Sequence, residues 1–283
     1  EGKAPMKPYS ARIAQLNPLH DYHEIVRLLT FHVFPWDIER ALEFALFRTY
    51  AVPSSSGLLA QTGEFTRRPR KRYDDTELIL YEILEHGFDS DRGRRALRRM
   101  NQMHGRFAIT NDDFLYVLST FIFEPIRWIA RFGWRPLTPG EALAFFSYYC
   151  ELGRHMGIQH IPETIEAFEH FNMAYEREHF HLVASNRQIG DATVNLLLGM
   201  YAPKLFWPLL RPALYALMDD PLLAAFGFPQ PSTRLRGFMA QLLRWRALLL
   251  RWLPERRRPW LGTARKRPTY PEGYAIEELG TFR

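Results

Sequence analysis

Cysteine is nearly absent from this 283-residue chain, Cys150 being the only one. An intramolecular disulfide and a cysteine-based zinc site are thereby excluded. Long apolar runs are missing as well. The longest, Ala192–Pro203 and Phe114–Phe123, fall short of the roughly 18 residues that a membrane span needs. No segment sustains an apolar–polar alternation of period two, which argues against half-buried strands. There is no internal repeat, and low complexity is confined to short arginine runs.

Charge of neither sign dominates. The net charge of +6, from 37 basic and 31 acidic residues, is a mild excess. Its clusters, at Arg67–Arg72, Arg92–Arg99, Arg244–Arg258 and Arg265–Arg267, sit apart in sequence. A nucleic-acid binder concentrates such charge on one face, so nucleic acid is not an expected partner. The last two clusters are near each other and suit an anionic membrane surface. A hydrophobic fraction of 47% is ordinary, and 14% aromatic residues supply large rings to line a cavity. The chain opens on Glu1 rather than methionine. A lost leader or anchor therefore fits, and the expected location is cytoplasmic or membrane-associated.

Helical periodicity accounts for most of what remains. The expected organisation is a polar N-terminal tail over 1–20, a helical domain over 21–253 and a C-terminal tail over 254–283 packing on it. Ile25, Leu28, Leu29 and His32 begin a helix that Pro35 breaks. Asp37 is expected to cap a second helix reaching Arg48. The stretches 51–57 and 63–72 read as loop and basic connector. Asp74 or Asp75 starts a helix stopped by Gly87, and Ser90 caps the next one. Asn111 or Asp112 caps an apolar helix interrupted at Pro125. Pro162 is expected to open a further helix. About ten helices in one compact all-α domain result.

Within this pattern, His104 follows Leu97 and Met100 and precedes Phe107 at spacings of three and four. That places it on the apolar stripe of its helix. A buried imidazole needs a partner. On spacing alone a satisfied core histidine is the commoner case. Should it bind a metal, no second histidine stands at the spacing of a mononuclear zinc site. A metal held by a single protein nitrogen implies a macrocycle that supplies the other ligands. Arg72 and Thr76, four apart, share a helix face. They read either as a solvated pair or as a guanidinium and hydroxyl that stabilise charge at a reaction centre. Glu82–Glu85–His86 and Glu166–Glu169–His170 echo di-iron bundles, but their histidines sit at i+4 rather than i+3 from Glu82 and Glu166. Glu176, Glu178, His179 and His181 read as a surface cluster. The segment 234–258 interleaves arginines with tryptophans. It suits a membrane interface or a Leu/Trp face packed inside, with packing the favoured reading.

These residues, in their order and spacing, resemble the MpaB and rubber-oxygenase (latex clearing protein) family, and its MpaB-like branch in particular. The likeness rests on Arg72-x-x-x-Thr76, His104 in Met-Asn-Gln-Met-His-Gly-Arg-Phe, and Asn111-Asp-Asp-Phe-Leu-Tyr. Phe34-Pro-Trp-Asp37, Arg48-Thr-Tyr-Ala-Val-Pro53, Phe123-Glu-Pro-Ile-Arg-Trp128, Met156-Gly-Ile158 and Tyr270-Pro-Glu-Gly-Tyr274 extend it over most of the chain. The resemblance implies a globin-like helical core around a pocket for haem b. It implies a haem-dependent oxygenase that cleaves C=C bonds of an isoprenoid or related lipid chain with O2. It makes His104 the proximal iron ligand and puts Arg72 and Thr76 beside the haem, with Arg72, Arg98 and Arg106 as propionate partners. Where the rubber oxygenases carry a lysine just before the threonine, this chain has Asp75, so the same distal ligation is not expected. Their acidic base lies further upstream, where no counterpart aligns; Glu64 is a candidate only by position. The alternative is a non-catalytic helical protein that binds lipid or associates peripherally with membranes.

Overall fold

The computed structural model describes residues 7–280. Residues 1–6 of the expected N-terminal tail and 281–283 of the expected C-terminal tail lie outside the described residues. The fold is all-α, with fourteen α-helices and no strand among the described residues. The helices that position the site are α3 (Pro35–Tyr50), α4 (Pro53–Thr62), α6 (Pro69–His86), α7 (Asp91–His104), α8 (Asn111–Phe132) and α9 (Pro139–His155). Before them come α1 (Pro8–Ile13) and α2 (Tyr22–Leu28), and α5 (Glu64–Arg67) lies between α4 and α6. After them come α10 (Ile165–His179), α11 (Ala184–Tyr201), α12 (Trp207–Tyr215), α13 (Asp220–Phe226) and α14 (Thr233–Trp252).

Proline opens more of these helices than it breaks. Pro35, Pro53, Pro69 and Pro139 each occupy a first helical position. There the missing N–H would have had no intrahelical acceptor anyway. Pro69 therefore begins α6 five residues ahead of Asp74, inside the stretch expected to be a connector. Arg72 and Thr76 consequently lie on one continuous helix. The stretch 51–57 likewise becomes the start of α4, and the apolar, proline-rich region 203–231 folds into α12 and α13. Pro125 does not interrupt α8, which runs through it. Packing along α3 on one side and against α9 and α10 on others holds that helix together. Pro162 does not open α10; Thr164 caps it two residues later, by accepting from Ala167 N.

Capping chemistry sets the other boundaries. The Ser90 hydroxyl accepts from Gly93 N and starts α7, as its position before the helix suggested. Thr138 and Glu141 form a reciprocal capping box at α9. Thr110, rather than Asn111 or Asp112, caps α8. Asp37 does not cap α3. It is buried in the first turn, accepting from Trp128 Nε1 at 3.3 Å and pairing with Arg246 of α14 at 2.9 Å.

The core is built of large rings. Phe31, Phe34, Phe47, Tyr116, Phe123, Phe132, Phe145, Phe168 and Phe226 are all fully buried. Where α9 crosses α8, a Cβ on Gly153 would stand 2.5 Å from Leu118 Cδ2. Only a residue without a side chain permits that approach. Residues 254–280 run back across the domain: Trp260 N donates to Phe31 O at 3.0 Å, and Gly262 lies flat on the Tyr81 ring.

One buried ion cluster joins four elements. Arg48 of α3 meets Glu124 of α8 at 2.8 Å, Glu176 of α10 at 2.9 Å, and Asp219, the N-cap of α13. The Tyr116 hydroxyl donates to the other Glu176 oxygen at 3.0 Å. Burial works to lower the Arg48 pKa, but the three carboxylates raise it overall. Burial raises the Glu176 pKa against the pull of Arg48. Glu176 is thus not the surface residue its charged neighbours suggested. Arg48→Met leaves three carboxylates around an apolar side chain. It is expected to cost about 3–5 kcal/mol in urea unfolding, and a loss below about 1 kcal/mol would contradict the clamp.

Candidate functional site

Helices α3, α4, α6, α7, α8 and α9 enclose a cavity of about 270 Å³, far larger than two neighbouring voids of about 50 and 10 Å³. Its wall is mainly apolar, with Leu46, Ile79, Met100, Phe114 and Leu118 from four of these helices. Among this apolar surface stand the polar side chains of Arg72, Thr76 and His104. The three residues singled out in the sequence are therefore brought to one cavity. Glu64 reaches it too, but it is tied to Arg68 by two contacts of 2.8 and 3.0 Å. Arg98 and Arg106 are exposed and stand outside the cavity wall.

His104 occupies the last position of α7. Its Nδ1 is fully enclosed and has no hydrogen-bond partner. The ring meets Phe114 edge-on, with centroids 5.4 Å apart. Burial, and after it the nearby positive charge of Arg72, push the imidazole pKa down to about 4. Near neutral pH the ring is uncharged, the form in which histidine ligates metals. A buried nitrogen without a partner is costly and calls for an explanation.

Arg72 and Thr76 meet through an Nη1–Oγ1 hydrogen bond, and Thr76 Oγ1 also donates to Arg72 O at 3.0 Å. The guanidinium lies 6.0 Å from the Phe65 ring centroid. Around them α6 carries a run of charges that are all paired on other faces. Asp74 accepts from Arg70, Arg267 and Thr269. Asp75 accepts from Lys71 at 2.9 Å and from the Tyr270 hydroxyl. The acid that stands where the rubber oxygenases are expected to carry a lysine thus sits at the cavity edge, its charge paired by Lys71 and its other contact supplied by the C-terminal segment.

Two polar groups here were not singled out from the sequence. Asp113 of α8 lines the cavity and accepts from Ser54 at 2.6 Å and from Tyr175 at 2.8 Å. Its only sequence signal was its place in the Asn111-Asp-Asp run. Behind Thr76 lies the void of about 50 Å³, lined also by Glu43 and Tyr73. Glu43 is buried and pushed up to about 7, first by that burial, although Arg40 pulls the other way. Nothing in the spacing of α3 announced it.

The di-iron echoes are not assembled into one site. Glu82 is held by Arg92 and the Tyr274 hydroxyl, and Glu169 pairs with Arg127. Among the described residues no group of three or more His, Cys, Asp or Glu is arranged to hold a metal ion. The metal-capable donor in the cavity is a single imidazole, which suits a metal whose remaining ligands come from a macrocycle.

The depressed pKa has a measurable consequence. His104 protonates at about 4 in the folded protein, against about 6.5 when unfolded. Its contribution to stability is fully present above about pH 6.5 and is lost as pH falls through the folded value. Imidazole nitrogen NMR should show a midpoint near 4. Arg72→Gln should raise that midpoint only partway, because burial is the larger cause. A wild-type midpoint near 6.5 would contradict this environment.

Comparison with known proteins bears on what this cavity belongs to. Residues 41–252 match the family described as ER-bound oxygenase mpaB/B'/Rubber oxygenase, catalytic domain. The chain is 30% identical over 239 residues to the ER-bound oxygenase mpaB' of Penicillium brevicompactum, covering 78% of this chain and 56% of that protein. It is 33% identical over 208 residues to the ER-bound oxygenase mpaB of Penicillium roqueforti (strain FM164), covering 67% and 69% respectively. The match to mpaB of P. brevicompactum is 30% identical, over 65% of this chain and 52% of that protein. The chain thus spans between about half and two thirds of the length of these relatives. All the cavity-lining helices but the first turn of α3 fall within the matched range, and the chain belongs to the MpaB and rubber-oxygenase catalytic-domain family.

Proposed function

We propose that this protein is a haem b-dependent oxygenase acting on C=C bonds of an isoprenoid or related lipid chain. The observation that carries the reading is the enclosed, unpartnered Nδ1 of His104, in a mostly apolar cavity that also presents Arg72 and Thr76. Family membership supplies the oxygenase class. The residues present fit the group: one neutral imidazole that would bind the iron, apolar walls for a macrocycle, and one guanidinium for carboxylates. Haem, when bound, supplies the activation of O2 that converts an alkene into two carbonyl fragments.

The chain's own residues have distinct tasks in this reading. His104 provides the metal ligand, kept neutral by burial and by the Arg72 charge. Arg72 offers guanidinium donors to a propionate or to negative charge developing on oxygen, and Thr76 orients it through their shared hydrogen bond. Met100, Met103 and Met156 line the wall, and unbranched thioether side chains adjust their rotamers to a large apolar guest. The apolar lining excludes water and strengthens the electrostatics of the polar side chains. Asp113, already committed to Ser54 and Tyr175, shapes one end of the cavity.

The reading predicts a Soret band in the purified protein and a positive pyridine haemochrome test. His104→Ala should lose both while retaining its helical circular dichroism. Arg72→Gln and Thr76→Val should keep haem and lower the rate of carbonyl formation from a prenyl lipid by about 10²-fold. A colourless wild type that takes up no haem on reconstitution would overturn the assignment.

A further inference from the structure

Helix α14 has two apolar faces, and only one of them is used. Leu243 and Ala247 are buried towards α8 and α12. On the other side Phe238, Leu242, Trp245, Leu249 and Trp252 recur at spacings of four and three, so they form one stripe. The stripe is open: Trp245 is 56%, Leu249 69% and Trp252 83% exposed. The neighbouring α12, which packs on α14, adds exposed Leu209 (74%), and the turn that leads into it adds Leu205 (84%). A contiguous apolar surface of this kind marks an interaction site. The tryptophans expected inside the protein instead point outward.

What covers the stripe follows from its charges. Between Thr233 and Trp252 there is no acidic residue. Arg246 turns inward to Asp37, and Arg236 is paired with Asp220 at the surface. Arg234 lies in line with the stripe, Arg244 and Arg251 lie along one flank, and none of the three has an ion-pair partner among the described residues. Exposed Arg256, Arg257 and Arg258 follow immediately. A second copy of this face would bring arginine against arginine with no carboxylate between them. An anionic lipid surface supplies both the missing counter-charge and an apolar phase, and tryptophan partitions to that boundary.

We propose that α14 and the Leu205–Leu209 segment dock this protein on anionic bilayers, the stripe lying in the interface and the arginines contacting lipid phosphates. Docking is independent of haem and of the assigned chemistry. The surface lies one helix away from the cavity, since α14 packs on α8, which contributes Asp113, Phe114 and Val117 to the wall.

Flotation of the full chain with vesicles tests this. Phosphatidylcholine vesicles containing phosphatidylserine should carry the protein, and pure phosphatidylcholine vesicles should carry much less. The combined Trp245→Ser, Leu249→Ser and Trp252→Ser variant should stay at the bottom with unchanged circular dichroism, because all three side chains are exposed. The combined Arg234→Gln, Arg244→Gln and Arg251→Gln variant should weaken binding to the anionic vesicles about 100-fold, at roughly fivefold per arginine. Three results would overturn the proposal: no flotation of the wild type, equal flotation of the serine variant, or a wild-type dimer that the serine substitutions dissociate.

Discussion

The neutralisation of two adjacent buried acids, Asp74 and Asp75, underlies the arrangement of the cavity. Both carboxylates are essentially inaccessible to water. Such charges survive burial only when paired and hydrogen-bonded. Arg70 and Lys71 supply part of the pairing from one turn earlier, and Arg267, Thr269 and Tyr270 supply the rest from the far end of the chain. With these acids satisfied, Arg72 is left to Thr76 and to the cavity. Helical periodicity separates the two tasks: positions 74 and 75 meet the returning segment, and 72 and 76 share a different face.

The polar side chains of the protein thus fall into two groups. Arg48, Glu124, Glu176 and Asp219 are saturated by one another and lock helices together. His104 is the reverse case, a polar atom enclosed without any partner. The Arg48-Thr-Tyr-Ala-Val-Pro53 motif spans both groups. Its arginine clamps α3 to α8 and α10, whereas Thr49 and Tyr50 line the cavity. Burial holds the Tyr50 hydroxyl protonated, its pKa pushed up to about 12.

Much of this was legible in the chain before its fold was known. The absence of period-two alternation implied an all-α protein, and the Ser90 cap and the Gly87 stop were read correctly. His104, Arg72 and Thr76 stood out by spacing and by resemblance, and they converge on one cavity. The errors have a common origin. Read alone, Pro53, Pro69 and Pro125 are punctuation, although a proline at a first turn favours a helix and one inside a long, well-packed helix is tolerated. Glu176, Asp37 and Glu43 were illegible for another reason. Their partners lie on distant helices, and no local pattern records a contact between α3 and α8 or between α3 and α14.

The pairing of Asp74 with Arg267 joins residues 193 positions apart. Contacts of such long loop closure form late, since the entropy of joining distant segments must be met before they reward it. During synthesis α6 therefore emerges with its acids lacking their distal partners, and these arrive only once residues 267–270 have been made. The cavity wall is in that sense completed by the returning segment, which supports α6 from behind and brings Gly280 to the lining. The pocket thus depends on the last-made part of the chain as well as on the helices that enclose it.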